Sequence, residues 1–237
     1  ILTAMKIASY LQIFCYYSLP NGKIQGGNTN FLIFPGNWDK MWKTGGKHMY
    51  KLCKTEQSAQ RQRSLEEGLL AAMKTKRYEE ITISDLCSQM EIPRKSFYRY
   101  FSSKDGALYA LIDHTLLDFE QQTGILTGNT LGNVSRDLQH FFAFWQERRQ
   151  LLDALERSGL SGVLVQRAIS QAQNEYVPSR SPAKPEIRAV QYHAVTFAIC
   201  GLMSMVTRWH RSGYSESAVE MAQIATSLLT RPLIGEK

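Results

Sequence analysis

Two short stretches of helix-forming residues, 82–90 and 93–101, meet at a tight turn, and this pair constrains the chain more than any other feature. Thr82 or Ser84 suits the N-cap of the first stretch, because a hydroxyl there can accept from the backbone N–H groups that the opening turn leaves unpaired. Asp85 complements the positive end of the same helix. Ile83, Leu86, Cys87 and Met90 fall on one side and are expected inward. Glu91 and Ile92 form the turn. Pro93 then opens the second stretch, where its missing N–H is not needed. Phe97 and Phe101 lie four apart and face the core, whereas Arg94, Lys95, Ser96 and Tyr98 fall mostly on the other faces. Ser102-Ser103-Lys104-Asp105 is a further cap signal. Upstream, residues 58–76 favour helix and repeat Leu65, Leu69, Ala72 and Met73 at three- and four-residue spacing. The three stretches together make a helix-turn-helix unit.

Charge follows the same division. The chain of 237 residues carries 28 Lys and Arg against 21 Asp and Glu, a net charge of +7. The excess lies entirely before residue 106, and the remainder of the chain is neutral. Residues 92–104 hold Arg94, Lys95, Arg99 and Lys104 and no acid. Lys and Arg neutralise phosphate, Arg can fork onto guanine, and Ser or Tyr can donate to phosphate oxygens, so this rod suits entry into a major groove.

The run from Ile81 to Asp105 resembles the DNA-binding domain of the TetR/AcrR family of bacterial transcriptional regulators. That family's Thr-Phe-Tyr-(Arg/Tyr)-(His/Tyr)-Phe and Ser-Lys-Glu signature reads here as Ser96-Phe97-Tyr98-Arg99-Tyr100-Phe101 and Ser103-Lys104-Asp105. The likeness spans residues 60–111. Four positions depart from the usual pattern: Arg77 and Glu91 stand where Gly is common, Gly68 where Ala is usual, and Ser96 where Thr is commoner. A non-Gly residue forced into a left-handed backbone costs about 1 kcal/mol.

The resemblance implies an all-α protein in which residues 56–104 form the helix-turn-helix DNA-binding domain and residues 105–237 an effector-binding and dimerisation domain. It further implies that Thr82, Ser84 and Lys104 hold backbone phosphates. Arg94, Lys95 and Ser96 would approach base edges, and Tyr98 and Tyr100 would touch phosphates or thymine methyls. Arg99 is left out, because the family often turns that position away from the groove. Phe97, Phe101 and Cys87 are assigned to packing alone. The implied partners are a double-stranded inverted-repeat operator, a second copy of the chain and a small-molecule effector, in a cytoplasmic repressor.

Past residue 105, helical segments are read at 134–150, 151–157, 160–176, 186–211 and 215–229, with Leu108 to Phe119 continuing a helical stripe out of the first unit. Residues 177–185 form a loop with three prolines. Ala194, Phe197, Ala198, Gly201, Leu202, Met205, Val206 and Trp209 make a broad apolar face, and Ala218, Ala222, Ala225 and Leu229 do likewise in the last helix. Small residues let helix axes approach, so these two helices are expected to pair with their copies in a four-helix dimer bundle. Phe141, Phe144, Trp145, Tyr176, His193 and Phe197 are candidates to line a pocket, though aromatic residues at helical spacing are more often plain core, and His193 is read as a core histidine. No ligand site is assigned.

Other classes find little footing. No P-loop, dinucleotide glycine motif, nucleophile elbow or His-Glu-x-x-His occurs, so no enzyme, cofactor or catalytic residue is expected. Cys15, Cys53, Cys87 and Cys200 are far apart and the histidines form no metal-binding pair, so free thiols and no metal are expected. No stretch reads as long and apolar enough for a membrane span. Residues 1–48 are rich in aromatics, Gly and Asn, and are expected to be a non-native or disordered leader. Gly45-Gly46-Lys47-His48-Met49 back-translates to a purine-rich, ribosome-binding-like stretch before an ATG, which makes Met49 the expected native start, with Met41 second.

Overall fold

A computed structural model of the chain describes residues 49–123, 131–176 and 185–230. The expected leader at 1–48 and most of the three-proline loop lie outside these residues. The described part is all-α, and its only β pairing is an isolated antiparallel bridge between Tyr50 and Phe101.

Helix α1 (Glu56–Met73) starts two residues before the expected point, because Thr55 caps it by accepting from the Ser58 N–H at 3.3 Å. Its inward face is Leu65, Leu69, Ala72 and Met73, as the spacing predicts. A short 3-10 turn (Tyr78–Glu80) follows, anchored by the buried Tyr78 ring. Helix α2 (Ile83–Gln89) settles the cap in favour of Thr82. Thr82 Oγ1 accepts from Asp85 N–H at 3.1 Å, and the Thr82 N–H donates to Asp85 Oδ2 at 3.1 Å, a reciprocal capping box. The helix ends where Glu91 takes φ 54° and the Ile92 N–H reaches back to the Cys87 carbonyl at 2.9 Å. This is the left-handed C-cap normally given to Gly. Arg77, by contrast, has φ −70° and no strain.

Helix α3 (Arg94–Tyr98) begins after Pro93 as expected but ends three residues early. The backbone beyond it is captured: Lys51 N–H donates to the Tyr100 carbonyl at 2.8 Å and Ser102 N–H to the Met49 carbonyl at 3.0 Å. The Arg99 and Phe101 N–H groups still reach back to the Lys95 and Phe97 carbonyls, and the ladder stops at Ser102, whose N–H goes to Met49 instead. Helix α4 (Lys104–Thr123) starts at once, capped by Ser103 Oγ on the Gly106 N–H at 3.1 Å.

Five further helices complete the described fold: α5 (Leu131–Glu147), α6 (Arg149–Arg157), α7 (Ser161–Tyr176), α8 (Pro185–Arg211) and α9 (Ala218–Thr230). The α5–α6 break falls at Arg148, whose guanidinium lies 3.4 Å over the Phe144 ring. Gly159 (φ 68°) turns α6 into α7. Helix α9 starts three residues after the expected 215, capped by Ser217 through its reciprocal bonds with Glu220. Helix α4 belongs to both halves, packing on α1 and on α7.

Two expectations about α8 and α9 need correction. Residues 189–211 are long and apolar enough, by length and composition, to cross a membrane. However, Ala198, Leu202, Val206 and Trp209 are buried against the rest of the chain. The broad apolar face expected of α8 therefore divides, with these residues inward and Phe197 63% exposed. In α9 the small residues Ala222 and Ala225 pack inward, where α9 lies on α5, and Val219, Ile224 and Leu228 point out.

Candidate nucleic-acid interface and internal cavity

The capping box fixes Thr82 and the start of α2, and the Glu91 turn fixes how α3 leaves α2. Behind α3, Phe97, Phe101, Leu86 and Cys87 are buried, and burial raises the Cys87 thiol pKa. Phe97 and Phe101 stack 5.1 Å apart. This apolar base holds the opposite side of α3 outward. Arg94 and Lys95 are exposed, Ser96 is half-buried, and Tyr98 is 48% exposed. The Arg94 guanidinium sits over the Tyr98 ring at 5.9 Å and donates to its hydroxyl at 3.4 Å. Thr82 and Ser84 are exposed at the head of α2. Arg99, left out on the strength of the resemblance, is exposed too.

Two of the expected contact residues are placed differently. Tyr100 is only 6% exposed and packs against Phe101. It lies past the end of α3, so helical spacing does not set its direction. The Lys104 ammonium turns inward. It donates to the Tyr78 carbonyl at 2.6 Å and the Ile81 carbonyl at 2.7 Å, and lies 4.2 Å from the Tyr78 ring. The Tyr78 hydroxyl donates to Asp105 at 2.5 Å, and burial, then Asp105, raise its pKa. Lys104 therefore ties the start of α4 to the strand of chain that delivers Thr82, and positions α2.

The second half of the chain reaches this unit through the end of α6. Ser158 Oγ accepts from the buried Tyr78 N–H at 3.0 Å, and Arg157 donates to the Lys74 carbonyl. Both contacts fall on the connection between α1 and α2.

Between α4, α5, α7 and α8 lies a cavity of about 20 Å³. Its lining is Leu116, Phe119, Phe141, Trp145, Ala168, Ile199, Leu202 and Met203. The volume suits about one water molecule, but so apolar a lining favours a dry void. The Trp145 Nε1–H is buried with no acceptor. Of the pocket candidates read from the sequence, Phe141 and Trp145 line the cavity. Phe144 is buried beside Phe119, while His193 and Phe197 point to the surface. The Tyr176 side chain lies outside the described residues. The aliphatic lining on α4, α7 and α8 carries no sequence signal that separates it from ordinary core.

No protein-family model matches the sequence, and no curated protein sequence does. Solved structures do. The fatty acid degradation regulator FadR from Bacillus halodurans matches with a TM-score of 0.51 at 12% identity, covering 77% of this chain and 98% of that one. The dihydroxyacetone kinase operon activator DhaS matches with a TM-score of 0.43 at 14% identity, over 71% and 93% of the two chains. A TetR/AcrR family transcriptional regulator from Thermobifida fusca YX-ER1 gives 0.42 at 14%, over 74% and 100%. Together with the helix order, the match to FadR shows that this chain shares that regulator's all-helical fold, with the helix-turn-helix unit first and the larger helical part behind it.

Proposed function

We propose that this protein is a transcriptional regulator, a dimeric and ligand-responsive repressor that binds an inverted-repeat operator through α3. One observation carries the reading. Arg94, Lys95 and Tyr98 stand outward on a rigidly backed short helix, in a stretch free of acidic residues. In this reading Arg94, Lys95 and Ser96 approach base edges, Thr82, Ser84 and Tyr98 hold phosphates, and residues 56–104 form the DNA-binding domain. Tyr100 and Lys104 serve instead as supports for the surface that the others form.

The outward apolar residues of α8 and α9, led by Phe197, Ile224 and Leu228, support a second copy as the dimer partner. Two α3 helices set about one helical turn apart would then read both half-sites. The cavity beside Trp145 is the effector site in this reading. An effector there has an apolar body, and helices α4, α5, α7 and α8 must part to admit it. Binding shifts the dimer only by its differential affinity for the open and closed arrangements. The contacts of Arg157 and Ser158 with the α1–α2 connection give that shift a route to α2 and α3.

A gel-shift titration against the DNA upstream of the chain's own gene tests this. Specific binding that weakens steeply with salt is expected. Lys95→Ala and Tyr98→Ala are expected to abolish the shift while the dimer survives in sedimentation. Unchanged affinity in both variants would overturn the assignment of α3.

A further inference from the structure

The segment before α1 is built into the same surface, although nothing in its residue pattern announces a role. Residues 49–51 run alongside the chain that ends α3, paired to it by the bridge of Tyr50 with Phe101. The Met49 carbonyl accepts from both the N–H and the hydroxyl of Ser102, at 3.0 and 3.1 Å, and Lys51 N–H donates to the Tyr100 carbonyl. Gly106 makes room for this. A Cβ at that position would overlap the Met49 carbonyl.

Two side chains, Tyr50 and Cys53, three residues apart, anchor the segment to the body of the chain. Tyr50 goes in and its hydroxyl donates to Asp113 Oδ2 at 2.5 Å, and Asp113 is itself paired with Arg167 on α7. Cys53 is the next anchor. Its thiol donates to Gln62 Oε1 at 2.9 Å and accepts from the Ser58 hydroxyl at 3.2 Å. Between and beyond these anchors, Lys51, Leu52 and Lys54 are exposed, Leu52 at 68%. No ion pair among the described residues involves Lys51 or Lys54. A flexible lysine on a loose tail loses most of its binding energy to ordering. Here the backbone is tied down at Lys51, bonded to the residue two beyond Tyr98, and Lys54 follows directly on the Cys53 anchor.

We propose that this anchored arm is a second nucleic-acid contact, with Lys51 and Lys54 gripping the sugar–phosphate backbone beside the groove that α3 enters. The proposal rests on the DNA-binding reading above. The two lysines add affinity and salt dependence without reading sequence, because phosphate contacts carry no base information.

The test compares the full chain with the Lys51→Ala/Lys54→Ala double variant. Fluorescence anisotropy would follow binding to the duplex from upstream of its own gene, and to a scrambled duplex of the same composition, across a series of salt concentrations. Loss of two phosphate contacts per subunit of the dimer, four in all, should flatten the slope of log K against log salt by about 4. It should weaken binding to both duplexes by a similar factor, and Lys51→Arg/Lys54→Arg should restore the wild-type slope. Lys95→Ala is the separating control, expected to lose the specific binding to the upstream duplex and to keep only the weak binding that both duplexes share. If the double variant keeps the wild-type slope and affinity while Lys95→Ala weakens binding, the arm is no contact and the inference falls alone. If the wild-type chain binds neither duplex, the DNA-binding reading falls and the inference with it.

Discussion

The sulfur of Met90 occupies the space that a methyl group on Gly68 would need. Gly68 lies in α1 and Met90 closes α2, so the glycine sets how closely the two helices approach. In helix propensity alone, Gly68→Ala gains about 1 kcal/mol. The clashing atoms are the end of a flexible, half-buried methionine, which can swing aside at small cost. Gly68→Ala is therefore expected to raise stability by less than about 1 kcal/mol in the wild-type chain, and by more in a Met90→Ala background, where nothing has to move. Urea denaturation of the four variants in this cycle measures the difference.

Glu91 carries the opposite kind of mismatch, a side chain where the backbone asks for none. Its φ of 54° is forced by the cap that ends α2. Glu91→Gly removes the Cβ clash and is expected to stabilise the chain by up to about 1 kcal/mol, less the extra entropy Gly brings to the unfolded state. Since Glu91 lies beside α3, removing its charge should also strengthen DNA binding slightly at low salt. Denaturation midpoints and anisotropy titrations read the two effects separately.

These local devices are legible in the sequence because the residues that make them are neighbours. The Thr82 cap, the Glu91 turn and the start of α3 after Pro93 each depend on groups a few positions apart. What ends α3 is not local. Phe101 and Ser102 are held by Met49, Tyr50 and Lys51, which no spacing connects to them. Tyr100 is held there too, and Lys104 is turned inward by the Tyr78 and Ile81 carbonyls, also distant in sequence, so both are placed otherwise than the resemblance implies. Helix α8 fails for a different reason. It is apolar on more than one side, and pattern alone cannot say that Ala198 faces the chain and Phe197 faces out. His193 lies on the outward side for the same reason.

Asp85 links the recognition unit to pH. Its carboxylate accepts from the Thr82 backbone N–H and pairs with the Thr82 hydroxyl, and these bonds hold its pKa below the ordinary aspartate value. A depressed folded-state pKa favours folding above the unfolded value, near 3.9, and that contribution is lost as pH falls through the lower folded value. Asp85→Ala is therefore expected to be less stable than wild type at pH 6, with the gap narrowing as pH is brought toward 3. Urea midpoints of both proteins across that range measure it, and a gap independent of pH would show that the carboxylate's charge contributes nothing.

The ion pair of Asp113 and Arg167 joins α4 to α7, with both side chains little exposed, at 12% and 13%. Burial works against the Arg167 charge, but the bond and the charge of Asp113 prevail and raise its pKa. The Tyr50 hydroxyl shares Asp113, and burial, then the Asp113 charge, push the Tyr50 pKa up. Removing one member of a buried pair leaves the other charge unmet, at a cost of about 3–5 kcal/mol. Arg167→Met is expected near the lower figure, because Tyr50 still donates to the carboxylate. Asp113→Asn should lose less, since the amide oxygen can still accept from the tyrosine while the arginine reaches for water. Replacing both partners together with apolar residues should restore much of the stability yet release the arm, since Tyr50 then has no acceptor. Thermal denaturation would register the first three effects. Hydrogen exchange at the Lys51 N–H would register the last, with protection lost in the double replacement and kept in Asp113→Asn.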